Sequence, residues 1–208
     1  TALVFFEPDF GTSTVYVALV LAMLYFYGTP WTHFAMLAGV GVAGLVALVW
    51  LLPLVGVEVI ESTQMDRLVV FLDPGHDPSG AGWNILQSKI AVGSGALTGR
   101  GEQATQTTLD FLPEHHTDFI FSVIGERFGF VGAAVLLALY VVMMWRALRI
   151  ATLSRDMYGS IMAGGIAAML LFQVFVNIGM TVGIMPVTGI PLPFVSFGGA
   201  AMISPAEI

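Results

Sequence analysis

Apolar residues fall in long blocks along this chain, at about 11–27, 34–57, 119–145 and 159–185, with a further block starting at 193. Each complete block is near the roughly 20 residues a helix needs to cross a ~30 Å hydrocarbon core. Asp9 or Thr12 stands where an N-cap belongs before the first block, and Pro53 sits near the end of the second, where it would kink a helix. Gly125-Glu126-Arg127 interrupts the third. The pattern predicts an all-α, polytopic integral membrane protein, with residues 1–208 forming one transmembrane domain. The chain opens inside an apolar run at TALVFF and stops at SPAEI soon after Phe194, so it reads as a fragment.

The polar stretch between the second and third blocks, 58–118, is far longer than an ordinary connection, and loops of that size are functional or disordered. Order is expected here. In 83–92, WNILQSKIAV, apolar residues at Ile85, Leu86, Ile90 and Ala91 recur near helical spacing. This predicts a short amphipathic helix at the membrane surface, with Lys89 pointing to an aqueous cavity. On that reading a charge at Ile85 or Ile90 does more damage than a change at Ser88. The glycine-rich GSGALTGRG that follows (93–101) reads as a tight turn that lets backbone approach a neighbour.

Composition agrees with a membrane environment. Of 208 residues, 57% are hydrophobic and 10% charged, against about 25% charged in soluble domains. A net charge of −7 excludes nucleic acid as a partner, and zero cysteine excludes disulfides and thiolate chemistry. Arg146, Arg149 and Arg155 cluster between the third and fourth blocks and assign that connection to the cytoplasm. The 58–118 loop then lies outside the cell.

The loop carries the carboxylates Glu58, Glu61, Asp66, Asp73, Asp77, Glu102, Asp110, Glu114 and Asp118, most of which read as a solvated acidic surface. Asp118 differs, because it stands where polar LPEHHT gives way to apolar FIFSVIG, at the membrane–water boundary. It reads as a catalytic carboxylate or as a helix cap, and the two roles are compatible. His115 and His116 are adjacent and lack metal-ligand spacing, and GSGALTGRG lacks the phosphate-loop form. Gln173 and Asn177, one helical turn apart, suit interhelical hydrogen bonds. Glu126 and Arg127 are costly in an apolar run unless paired, interfacial or facing a polar cavity. PVTGIPLPF (186–194) reads as a proline-broken re-entrant turn.

Taken together, EPDFGT (7–12), FLDPGHDPSGAGWNILQSKIAVGSGALTGRG (71–101), FLPEHHTDFIFSVIGERFGFVG (111–132) and FVNIGMTVGIMPVTGIPLPFVSFGG (175–199) resemble the SEDS family of peptidoglycan glycosyltransferases. Thr105, Gln106 and Leu109–Glu114 resemble its RodA branch more than its FtsW branch. The resemblance implies polymerisation of lipid II into glycan strands, with inversion at the anomeric centre, during cell elongation. It places the protein in the bacterial inner membrane, multi-pass, beside a class B penicillin-binding protein. The family's essential aspartate corresponds to Asp118, and Lys89, Arg100, Glu114, Gln87 and Ser88 become the candidates for holding substrate. The charge developing on a pyrophosphate leaving group needs a cation. Lys89, Arg100, a divalent ion held by carboxylates (Mg2+ or Mn2+ by donor hardness), or the absent half would supply it; no organic cofactor is expected. Three departures stand out: Ala96 where glycine is usual, Arg127 where an acid is usual, and Phe197 where tyrosine is usual. The competing classes are a lipid II flippase and a scaffold for the synthase partner. A passage would need polar residues through the full depth of its spans, whereas here they gather at the outer face.

The arginine cluster makes the topology testable by single-cysteine labelling, with residues 1–208 contributing no thiol of their own. In the full-length protein, a cysteine at Ser79 is expected to react with an impermeant reagent in intact cells, and one at Ser154 is expected to stay unlabelled; the opposite pattern would overturn the orientation.

Overall fold

The structure, a computed structural model, describes residues 10–46, 69–71, 73, 75, 77, 80–105 and 117–196. Its elements are helices: α1 Phe10–Phe26, α2 Trp31–Val46, α3 Ala81–Ser94, α4 Ile120–Leu153 and α5 Met157–Val182, with a 3-10 turn at Gly101–Gln103. No strand occurs among the described residues. α4 and α5 are long and apolar enough to cross a membrane. Phe128, Phe130, Leu139, Leu171 and Phe175 are each more than half exposed. Such a surface suits lipid, where helices satisfy their own backbone groups, and the chain is a membrane protein.

Compared with the sequence blocks, α4 runs eight residues past 145, to Leu153. Arginine ends an apolar run but not a helix, and helical geometry gives out only at Ser154, with its extended backbone at φ −61°, ψ 135°. α5 stops at Val182, where Gly183 turns left-handed at φ 77° and its N–H reaches Met180 O. Ile184 N–H donates to Gly179 O at 2.7 Å, which completes a Schellman closure. The second block beyond residue 46 and the block beyond 196 lie outside the described residues, as do 58–68 and 106–116 of the loop.

α5 is the centre of the bundle and packs against α1, α3 and α4. After Gly183 the chain folds back as non-helical backbone through Leu192 and a turn at 193–195. Its apolar residues fill both seams: Ile190 joins Val15 and Val176 between α1 and α5, while Leu192 joins Tyr140 and Val174 between α4 and α5. Irregular backbone survives at membrane depth only where protein satisfies it. Here Tyr140 Oη–H donates to Pro193 O, Leu192 N–H to Ser196 Oγ at 2.7 Å, and Asn177 Nδ2 to Ile190 O at 2.8 Å.

The loop is built on the same principle. Asp77, expected on a solvated surface, instead accepts the Gly80 and Ala81 N–H groups, both at 2.9 Å, and caps the first turn of α3. The apolar positions expected on α3 divide between its two sides. Gly82, Ile85, Gln87, Ser88 and Ala91 are buried, whereas Trp83, Leu86 and Ile90 are exposed. Ile85 and Ala91 of the expected apolar set are packed inward, while the small Gly82, Ser88 and Ala91 let the backbones close in. Ile85, expected to be sensitive to a charge, is 2% exposed, whereas Ser88, expected to tolerate replacement better than Ile85 or Ile90, is fully buried and Ile90 is 49% exposed.

α4 is broken at Gly129 (φ 65°, ψ −161°), and the glycine-rich segment after α3 repairs the break. Phe130 N–H donates to Ala96 O at 2.9 Å and Val131 N–H to Leu97 O at 3.1 Å. The carbonyl that Phe130 would have used in an unbroken helix, Glu126 O, accepts Arg100 N–H at 2.8 Å. A Cβ on Gly129 would lie 2.3 Å from Gly99 N, so this strap and the helix meet backbone to backbone. Glu126 is fully buried at the break and Arg127 is exposed beside it.

Ala96 has φ 47°, a left-handed conformation that costs a non-glycine residue about 1–2 kcal/mol. Set against the greater chain entropy of glycine, Ala96→Gly is expected to stabilise the protein by about 0.5–1 kcal/mol. Gly129→Ala combines a forbidden φ with a backbone collision and is expected to cost at least about 3 kcal/mol. Thermal unfolding of the purified full-length protein in detergent should move upward for the first variant and downward for the second; the reverse order would contradict the strap.

Candidate functional site

Polar side chains gather where α3 meets the N-terminal end of α4 and the C-terminal end of α5. Ser88 Oγ–H donates to Thr181 O at 2.7 Å, one of the last-turn carbonyls that a helix leaves without an internal partner. That commits the only Ser88 proton, so Ser122 Oγ–H donates in turn to Ser88 Oγ across 2.6 Å. Ser88 and Ser122 are fully buried. The pair ties three helices together one turn from Asp118. Ser88, a candidate for substrate contact, is therefore turned into the joint, and Gln87 beside it is buried as well.

Asp118 lies in the turn 117–119 that leads into α4, and it is half-buried. Its carbonyl accepts Asn177 Nδ2–H at 2.8 Å, and the same amide nitrogen donates to Ile190 O at 2.8 Å. Two acceptors on one nitrogen settle which end of the amide is which. Asn177 is fully buried, and its Oδ1 has no hydrogen-bond partner among the described residues. The two bonds clamp the Asp118 backbone to the re-entrant segment. Gly189, next along that segment, faces the carboxylate: a Cβ there would sit 3.6 Å from Asp118 Oδ2. At its nearest point the Gly189 wall therefore offers the carboxylate backbone and no side chain.

Lys89 is exposed, and its chain runs across the closing turn of α5. A Cβ on Gly183 would fall 1.9 Å from Lys89 Cε and 2.4 Å from Nζ. The ammonium therefore lies at a helix C-terminus, where the carbonyl ends favour a cation. Lys89 and Asp118 occupy the same end of the bundle. Arg100 does not join them: its Nε–H donates to Ser94 O at 3.2 Å, and its backbone is fixed at Glu126. Glu126 stands eight residues after Asp118 in sequence, in the second turn of α4. Glu114 lies outside the described residues. Among the described residues no group of three or more acidic or histidine side chains comes together to hold a metal.

Two participants were not picked out as site residues in the sequence. Asn177 was legible as a hydrogen-bonding residue on an apolar helix, but its partners were not. Gly189 carried only a weak signal, a glycine just before the proline-broken IPLPF.

Known proteins place these features in context. The FtsW/RodA/SpoVE family model, described as cell cycle protein, matches residues 1–206. The peptidoglycan glycosyltransferase MrdB of Escherichia coli (strain K12) is 46% identical over 204 residues, covering 98% of this chain and 53% of that protein. Stage V sporulation protein E of Bacillus subtilis (strain 168) is 41% identical, covering 94% and 51%. The peptidoglycan glycosyltransferase RodA of Treponema pallidum (strain Nichols) is 40% identical, covering 96% and 44%. A solved chain from work described as "Structural coordination of polymerization and crosslinking by a peptidoglycan synthase complex" superposes with a TM-score of 0.73 at 31% identity, covering 97% of this chain and 54% of that one. The chain spans about half the length of the curated relatives it matches. It belongs to the FtsW/RodA/SpoVE family of cell cycle proteins.

Proposed function

We propose that the protein polymerises peptidoglycan strands from lipid II by inverting glycosyl transfer, as a multi-pass protein of the bacterial inner membrane, with the 58–118 loop on the outer face. The observation that carries the reading is the half-buried Asp118 carboxylate, its backbone clamped by Asn177, facing the bare edge of Gly189. Relatives named as peptidoglycan glycosyltransferases support the reaction class.

In the reaction, the acceptor sugar's 4-hydroxyl approaches along the Gly189 edge. Its oxygen forms a bond to the donor's anomeric carbon from the face opposite the lipid pyrophosphate. The bond from that carbon to the pyrophosphate oxygen breaks, and undecaprenyl pyrophosphate departs with the electron pair. The hydroxyl proton passes to the Asp118 carboxylate as general base. Lys89 is the described cation at this end of the bundle and is assigned to the phosphate charge. Asn177 contributes by holding Asp118 in register, since a shift of about 1 Å in a reacting group costs on the order of 10²-fold. A class B penicillin-binding protein is the proposed partner, in keeping with the coordination of polymerisation and crosslinking described for the solved homologous complex. Buried Ser88, Ser122, Asn177 and Thr181 all gather at the Asp118 end, which favours surface chemistry over a transmembrane passage.

Asp118→Asn in the full-length protein is expected to fold and to lose about 10²–10⁴-fold in polymerisation of labelled lipid II. Normal polymer formation by that variant would overturn the mechanism. Asn177→Leu is expected to lower kcat by about 10²-fold with little change in KM. Because Asn177 acts through Asp118, adding Asn177→Leu to Asp118→Asn should cost little more activity. Additive losses would show that Asn177 only stabilises the fold.

A further inference from the structure

At the opposite end of α4 from Asp118 lies a cleft of about 390 Å³, lined by Arg146, Arg149, Ile150, Leu153, Ser154 and Gly159. Nothing in the glycosyl-transfer site uses it. Its depth in the membrane follows from helix length. From Phe130, just past the break, to Leu153 the helix extends roughly 36 Å, more than the ~30 Å hydrocarbon core, so its last turns emerge at headgroup level. Trp145 and Tyr158, 56% and 74% exposed, flank the cleft as aromatic residues do at a membrane interface.

The lining is chemically two-sided. Arg146 and Arg149 are three apart on the helix, so their guanidinium groups are neighbours, and neither forms an ion pair with a described residue. Arg149 lies 5.8 Å from the Trp145 ring centre, a stacking contact that holds it at the rim. Asp156, the nearest acid in sequence, is exposed and is not part of the lining. Ile150 and Leu153 supply an apolar wall beside the cations. Guanidinium pairs select phosphate oxygens, and an adjoining apolar wall suits a ligand whose phosphate is joined to hydrocarbon.

We propose that this cleft binds the headgroup of an anionic phospholipid, with Arg146 and Arg149 on the phosphate and Ile150 and Leu153 against the glycerol and first acyl carbons. A free phosphate ion offers the same charge but leaves the apolar wall without a partner, so the lipid is the assigned occupant.

The test uses full-length protein reconstituted in phosphatidylcholine vesicles, with phosphatidylglycerol added at increasing fraction and the retained lipid read by native mass spectrometry. Wild type is expected to keep bound phosphatidylglycerol in preference to phosphatidylcholine. The Arg146→Gln/Arg149→Gln double variant should weaken that retention by about 30-fold, from about 5-fold for each basic residue near an anionic surface. Both arginines are exposed, so folding should survive, as an unchanged unfolding temperature in pure phosphatidylcholine would verify. Arg155→Gln removes a charge from the same connection but not from the lining, and should leave retention nearly intact. An equal loss with Arg155→Gln would mean diffuse charge attraction and would overturn the site. Unchanged retention in the double variant would overturn it too. Displacement of phosphatidylglycerol by millimolar inorganic phosphate would identify a free-anion site and reject the lipid assignment.

Discussion

Backbone hydrogen bonding under low water activity is the constraint on which this fold depends. A helix satisfies itself; a broken helix or a re-entrant strand of coil does not, and each orphaned group costs several kcal/mol in hydrocarbon. The protein has both irregularities, the break at Gly129 and the backbone from Gly183 to Ser196. It answers each with groups from elsewhere in the chain. Arg100 N–H and the carbonyls of Ala96 and Leu97 complete the first, while Asn177, Tyr140 and Ser196 complete the second. The glycine-rich strap at 95–100 is thus a structural member of the bundle. Remove the strap and α4 carries exposed backbone at its break.

This arrangement explains where polarity is allowed. Ser88, Ser122, Asn177 and Thr181 are buried, yet each sits at a place where helical pairing stops. Their hydrogen bonds contribute modestly as pairs, about 0.5–1.5 kcal/mol each, but losing one partner strands the other and costs more. The joint is therefore firm without being strongly stabilising. It fixes the Asp118 backbone against the re-entrant segment. Asn177 illustrates the trade: one nitrogen serves two carbonyls while Oδ1 finds no donor among the described residues. A leucine would satisfy the seam's packing, but it could not clamp Asp118 to the Gly189 edge.

The two ends of α4 divide the chemistry between them. Near Asp118 the polar groups are inward and mutually bonded, with Lys89 laid over a helix terminus. At Leu153 the charges are outward, stacked on or flanked by interfacial aromatics. Between them Phe130, Val135, Leu139 and Val142 present only apolar surface. An apolar middle with polar ends is the pattern a bilayer imposes.

Much of this was legible in the residues alone. Block length and hydropathy determined the helical class and the membrane environment, because a span must match hydrocarbon thickness whatever it packs against. The expected helix at 83–92 is present as Ala81–Ser94, and GSGALTGRG does let backbone approach a neighbour. Asp118 stood out because the polar-to-apolar switch is a one-dimensional signal. Hydropathy could not divide the apolar positions of α3, since packing against α4 and α5 took Ile85 and Ala91 inward with the small or polar Gly82, Gln87 and Ser88, and left Leu86 and Ile90 exposed. Nor could spacing show that Asp77 caps a helix, that Ser88 is buried in a joint, or that Arg100 is spent on the α4 break. Each of those roles depends on a partner far along the chain or on the local turn geometry, and only the packed tertiary structure brings the partners within hydrogen-bond distance.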